Sequence, residues 1–113
     1  MTMQIEVDTS DKQLAFDLFG NPKSLGSGAS ISLPFGGELE LREWRFRKAL
    51  GASETLDLLL SFGVSVSSGL VANWLWSKLQ GRATTLRINR VEVNMQQGEI
   101  QRIVSEQIEI EHK

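Results

Sequence analysis

With 113 residues, 12 basic and 14 acidic side chains, a formal net charge of −2 and no cysteine, the chain has the size of one domain and the charge balance of neither a polyanion-binding arm nor an acidic tail. The absence of cysteine excludes disulfides, thiolate metal sites and a cysteine nucleophile together, which fits a reducing compartment. The opening MTMQIEVDTSDK has no basic start followed by an apolar run, so a secretion signal is not expected; cytoplasmic residence is the default, with membrane association as the alternative.

Met3, Ile5 and Val7 alternate with Gln4, Glu6 and Asp8, the period of a strand with one buried face. Ser10 and Asp11 offer a helix N-cap, and Leu14, Ala15, Leu18 and Phe19 recur at helical spacing until Gly20-Asn21-Pro22 ends the pattern. KSLGSGAS, residues 23–30, reads as a loop. Ile31, Leu33 and Phe35 then alternate, Gly36-Gly37 supplies a turn that tolerates positive φ, and Leu39 with Leu41 begins a return strand. Trp44 and Phe46 are out of phase with those leucines; a β-bulge near Arg42-Glu43 would set all four on one face.

LLLSFGVSVSSGLVANWLW, residues 58–76, carries no formal charge. As a helix it is long enough to span a bilayer, but its serines, Asn73 and two glycines offset the apolar side chains. Four bases precede it (Arg42, Arg45, Arg47, Lys48) and four follow it (Lys78, Arg82, Arg87, Arg90), so no topology bias exists. A buried helical segment is favoured, broken at the β-branched run GVSVSS. Ser53 would cap a first piece with Leu56, Leu59 and Leu60 inward. Ser67-Ser68 would cap a second piece with Val71, Trp74, Leu75, Lys78 and Leu79 on one side. In that helical frame Ser61, Ser65 and Gly69, and likewise Gly63 and Ser67, recur at four-residue spacing. Such a stripe lets another backbone approach closely.

Past Gly81, Leu86 and Ile88 alternate in one phase and Val91, Val93 and Met95 in the other, which places a turn or bulge at Asn89-Arg90. Ile100, Ile103, Val104 and Ile108 form an amphipathic helical stripe. The expected architecture is one α+β domain over residues 1–113, ordered β-α-β-β-α-β-β-α, with a small antiparallel or mixed sheet packed against a long apolar helix.

Little in the chain can carry chemistry. His112, the sole histidine, lies one residue from the end of the chain, a poor place to hold a base against a substrate. The serines occur in no nucleophile-elbow pattern, and no histidine is set to activate one. Glu38, Glu40 and Glu43, and Glu106, Glu109 and Glu111, are spaced as solvated faces. GSGAS at 26–30 lacks the lysine of a phosphate loop. No enzyme, cofactor or metal is expected.

Two clusters suggest surfaces. REWRFRK, residues 42–48, interleaves Trp44 and Phe46 with Arg42, Arg45 and Arg47, so one strand face is aromatic and the other basic. That pattern suits a protein partner better than nucleic acid in a chain without net positive charge. Trp74 and Trp76 fall about 200° apart on a helix, so one belongs at an edge, where an indole serves an interface. The expected partner-binding residues are Trp74, Trp76, Gly63, Ser65, Gly69, Trp44, Arg45 and Arg47.

In the order of its elements, and in LLLSFGVSVSSGLVANWL followed by TLRINRVEV, the chain resembles the small effector-associated constant components of bacterial conflict systems. The resemblance implies an adaptor without catalysis that pairs with effector or protease modules encoded beside it; the bulged REWRFRK strand is not a feature of that pattern. The expected function is a non-enzymatic protein-interaction module, an adaptor or self-associating subunit of a bacterial or phage conflict system. The alternative is a peripheral or single-span membrane protein using residues 56–77.

Overall fold

The computed structural model describes residues 1–46 and 53–111. Its elements are β1 (Thr2–Thr9), α1 (Leu14–Leu18), β2 (Ser30–Leu33), β3 (Gly37–Phe46), β4 (Glu54–Phe62), α2 (Ser68–Leu79), β5 (Ala83–Ile88), β6 (Val91–Val93) and α3 (Gln97–Glu111). The strands form one sheet in the order β2-β3-β4-β1-β5-β6, and every neighbouring pair is antiparallel. The α+β architecture expected from the sequence is therefore present.

One face of the sheet supplies the core. Met3, Ile5 and Val7 of β1 meet Leu60, Leu58 and Leu56 of β4 in register, and all six are buried. Leu14, Ala15 and Leu18 of α1, Val71, Leu75 and Leu79 of α2, and Ile100, Ile103 and Val104 of α3 join the same cluster. The helices thus cover one face. The other face presents Gln4, Glu6 and Asp8 and their neighbours to water, the usual one-sided arrangement of an antiparallel sheet.

The β2–β3 hairpin and the bulge follow their sequence signals. Gly36 donates its N–H to Leu33 O at 3.1 Å with φ of +84°, the left-handed residue that closes a three-residue hairpin loop. Gly37 is needed for another reason: a Cβ there would stand 2.5 Å from the Ser61 carbonyl oxygen of β4. The register of β3 against β4 shifts between Leu41 and Glu43. Leu39, Leu41, Trp44 and Phe46 consequently lie opposite Leu60, Leu58, Leu56 and Glu54, all on the helix-covered face, as the bulge requires.

The apolar stretch departs from its helical reading. Residues 54–62 are β4, a central strand between β3 and β1, and only residues 68–79 are helical. Ser53 precedes a strand and caps no helix. Leu56 and Leu60 do point inward, whereas Leu59 lies half-buried on the open face. A central strand with leucines on both faces lacks clean alternation, so periodicity cannot separate it from a buried helix. GVSVS, residues 63–67, is the connection between the two elements. Residues 56–77 are accordingly not one continuous helix, and no helix among the described residues is long and apolar enough to cross a membrane.

Ser67 caps α2: its Oγ accepts the Leu70 N–H at 3.3 Å. The β5–β6 turn at Asn89-Arg90 has φ of 49° and 70°, the two left-handed residues of a type I′ hairpin. Asn89 also binds neighbours on both sides: Oδ1 accepts the Gln4 N–H at 2.8 Å and Nδ2 donates to Gln107 Oε1 at 2.9 Å.

Candidate partner-binding surface

Trp74 backs an apolar hollow at the surface. It lies on the inward side of α2 at 9% exposure, with its ring edge-to-face on Phe35 at 6.2 Å. One turn earlier Leu70 points outward and is 52% exposed. Together Pro34, Phe35, Leu70 and Trp74 line a shallow hollow of about 330 Å³. A second hollow of about 220 Å³ shares Pro34 and Trp74 and runs along β2 past Ile31 toward Asp17 and Lys78. Trp76, on another side of the helix, is half-buried and packs against the core. Of the two tryptophans, then, Trp74 borders the hollow.

The small residues form no common helical face. Gly63 and Ser65 lie in the connection after β4, and Ser61 in β4 itself; the four-residue spacing has no helix to act on. Gly69 does lie in α2, but toward α3: a Cβ there would be 3.9 Å from Gln101 Oε1. Beside it Ser68 Oγ accepts from Gln101 Nε2 at 3.2 Å and from Ser105 Oγ at 3.1 Å. The close helix-to-helix seam is therefore internal, between α2 and α3.

Residues 42–46, the described part of REWRFRK, divide as expected, with the two faces of β3 employed differently. Trp44 stacks edge-to-face on Phe16 at 5.7 Å, lies 5.1 Å from Phe46, and donates its indole N–H to the buried Glu54 carboxylate at 3.1 Å. Phe46 is 64% exposed. On the open face Arg45 donates to Glu43 at 2.8 Å and to Glu6 at 3.1 Å, and Arg42 donates to Glu40 at 3.2 Å. Both guanidiniums are thus matched to carboxylates of this chain. Arg47 and Lys48, like His112, lie outside the described residues.

The open face is held by a network across β1. Arg87 of β5 makes two contacts to Glu6 at 3.1 Å and one to Asp8 at 3.3 Å. Hydrogen bonding from Arg87, with the charges of Arg87 and Arg45, holds the Glu6 carboxyl below its ordinary value against the opposing effect of burial. For Asp8 burial is the largest influence and raises the pKa, but hydroxyl donation from Thr85 and Thr55 together with Arg87 outweighs it, and the net shift is downward. Behind α2, Arg82 donates to Asp11 and Asp17 at 2.6 Å each, bracing α1 against the start of β5. The Arg82 bond, followed by the Gln13 N–H, lowers Asp11.

Sequence reasoning located Trp74 but not its partners. Leu70 falls one position off the inward stripe and was indistinguishable from core. Pro34 and Phe35 reach Trp74 only because the β2–β3 turn folds to the same end of the sheet as the start of α2. No protein-family model, curated protein or solved structure matches the chain.

Proposed function

We propose that the chain is a non-enzymatic protein-interaction module, an adaptor or self-associating subunit of a bacterial or phage conflict system. The uncovered apolar end of α2 carries this reading. Leu70 stands half exposed beside Pro34, Phe35 and Trp74, and covering such a patch gains roughly 25 cal/mol per Å² removed from water. All four lining residues are uncharged, so the hollow suits a partner's aliphatic or aromatic side chain and offers nothing to a phosphate or carboxylate. A tryptophan set in a pocket is enriched among the residues that carry binding energy at protein interfaces. The conflict-system setting rests on the resemblance of residues 58–75 and 85–93.

Co-expression with the products of adjacent genes tests the reading. A stoichiometric complex is expected by light scattering, and Leu70→Glu should weaken it at least tenfold while Glu92→Lys, on the opposite edge of the sheet, leaves it intact. If none of those proteins binds, or Leu70→Glu binds as tightly as the parent, the reading fails.

A further inference from the structure

The outer edge of the sheet has a directional backbone pattern that follows from its register. Leu41 N–H donates to Ala29 O at 2.8 Å, which sets 29 opposite 41 in the hydrogen-bonded phase, while Leu41 O takes the Gly28 N–H at 2.7 Å and Ala29 N–H turns to Gly26 O at 3.1 Å, a bulge just before β2. The register continues Ser30↔Glu40, Ile31↔Leu39, Ser32↔Glu38, Leu33↔Gly37. Antiparallel pairs alternate, so Ile31 and Leu33 bond to β3 while the N–H and C=O of Ser30 and Ser32 point away from it. Both serines are exposed, and β2 is the last strand on that side.

This edge also lacks the usual electrostatic guard. Sheet edges are ordinarily blunted by shortness, by a charged residue, by a proline or by a bulge; β2 is short at four residues, but it has no charge. Residues 24–37 carry no charged side chain at all. The opposite edge differs: β6 is three residues long, and the residue whose backbone faces outward there is Glu92. Beside β2, on the helix-covered side, half-buried Ile31 borders the apolar hollow with Pro34 and Trp74.

We infer that β2 pairs antiparallel with β2 of a second copy about a twofold axis at Ile31. Ser30 then lies opposite the partner's Ser32, and Ser32 opposite the partner's Ser30. Each pair exchanges both of its backbone hydrogen bonds, so the exposed donors and acceptors of two residues per copy are all matched. The two Ile31 side chains meet across the axis as a close non-hydrogen-bonded pair. Because the strand is neutral, the twofold sets no like charges against each other. An antiparallel edge with free groups at i and i+2 is complementary to itself, and the neutrality of residues 24–37 removes the like-charge repulsion that a twofold would otherwise impose on a second copy. The inference gives the self-associating arm of the proposed function a surface, and it stands whether or not Leu70 receives another protein.

Sedimentation and amide hydrogen exchange on the full chain test it together. The mass should rise with concentration from 12.6 kDa toward twice that value. Protection of the Ser30 and Ser32 amides should rise in parallel, while the Ile31 amide, already bonded to β3, stays unchanged. Ser30→Lys with Ser32→Lys sets like charges opposite each other on the exposed face; the dissociation constant should increase at least tenfold and recover in part at high salt. Circular dichroism establishes that this variant folds. A strict monomer at millimolar concentration overturns the inference, as does a dimer that leaves the Ser30 and Ser32 amides unprotected or is indifferent to the double substitution. A monomer that still binds a neighbour-encoded protein through Leu70 refutes the pairing alone; a β2-linked dimer that binds none refutes the adaptor reading alone.

Discussion

Arg87 shows what one side chain contributes on the open face. It ties β5 to β1 through Glu6 and Asp8, whose folded pKa values lie below their ordinary 4.5 and 3.8. A carboxyl that is more acidic when folded stabilises the native state fully above its unfolded pKa, and that contribution fades as pH falls through the lower folded value. Stability measured by urea midpoint should therefore be level near neutrality and decline once pH drops below the ordinary carboxylate range. In Arg87→Met the donor that dominates at Glu6 is gone and Asp8 loses its Arg87 charge and hydrogen bond, so their folded pKa values rise toward the unfolded ones. The acid decline should become shallower and the level at neutral pH lower. If the parent and variant curves run parallel from neutral to acid pH, Arg87 does not carry this effect. The pairing itself was not readable from the sequence, because Glu6 and Arg87 are neighbours only through the sheet register.

At the scale of elements, the hairpins and α3 were legible because each signal is local. Gly36-Gly37 sets a turn, and a phase change at Asn89-Arg90 demands another. Arg90 occupies its left-handed position with φ of 70°, where a residue bearing Cβ is disfavoured by roughly 1–2 kcal/mol and glycine is not. Arg90→Gly should accordingly raise stability by about 0.5–1 kcal/mol, after allowance for the greater freedom glycine gives the unfolded chain. A drop in the denaturation midpoint would show that the Arg90 side chain has a compensating contact. The element that sequence reading mistook is β4. Its leucines at 56, 58, 59 and 60 fit helical and extended patterns alike, and the choice between them is made by β1 and β3, which bracket the strand from distant parts of the chain. The small-residue stripe failed with it, since a spacing of four has meaning only on a helix.

For the molecule as a whole, composition and pattern identified one α+β domain, whereas the candidate surface was readable only in part. From the sequence one of Trp74 and Trp76 belongs at an edge, but Trp74 falls on the inward stripe and nothing singles it out. Its grouping with Phe35 and Leu70 depends on which end of the sheet each loop reaches, a property of the assembled fold. The sheet order also predicts where stability resides. β1 and β4 occupy the centre, and their inward residues are almost fully buried, so amides of Met3, Ile5, Val7, Leu56, Leu58 and Leu60 should exchange slowest, at the rate of global unfolding. Slower exchange in α1, a helix of five residues, would contradict that ordering. Placing β1 in the centre has a further cost in time. Thr2 pairs with Ser61 and Ile5 with Ile88, so on the ribosome the first strand emerges well before either neighbour has been translated. At synthesis rates of about 5–20 residues per second the nascent backbone edge of β1 waits on the order of 4–16 s for β5. During that interval α1, β4 and α2 of the same chain have already emerged, so the apolar face can be covered while the β5-facing backbone edge of β1 stays open.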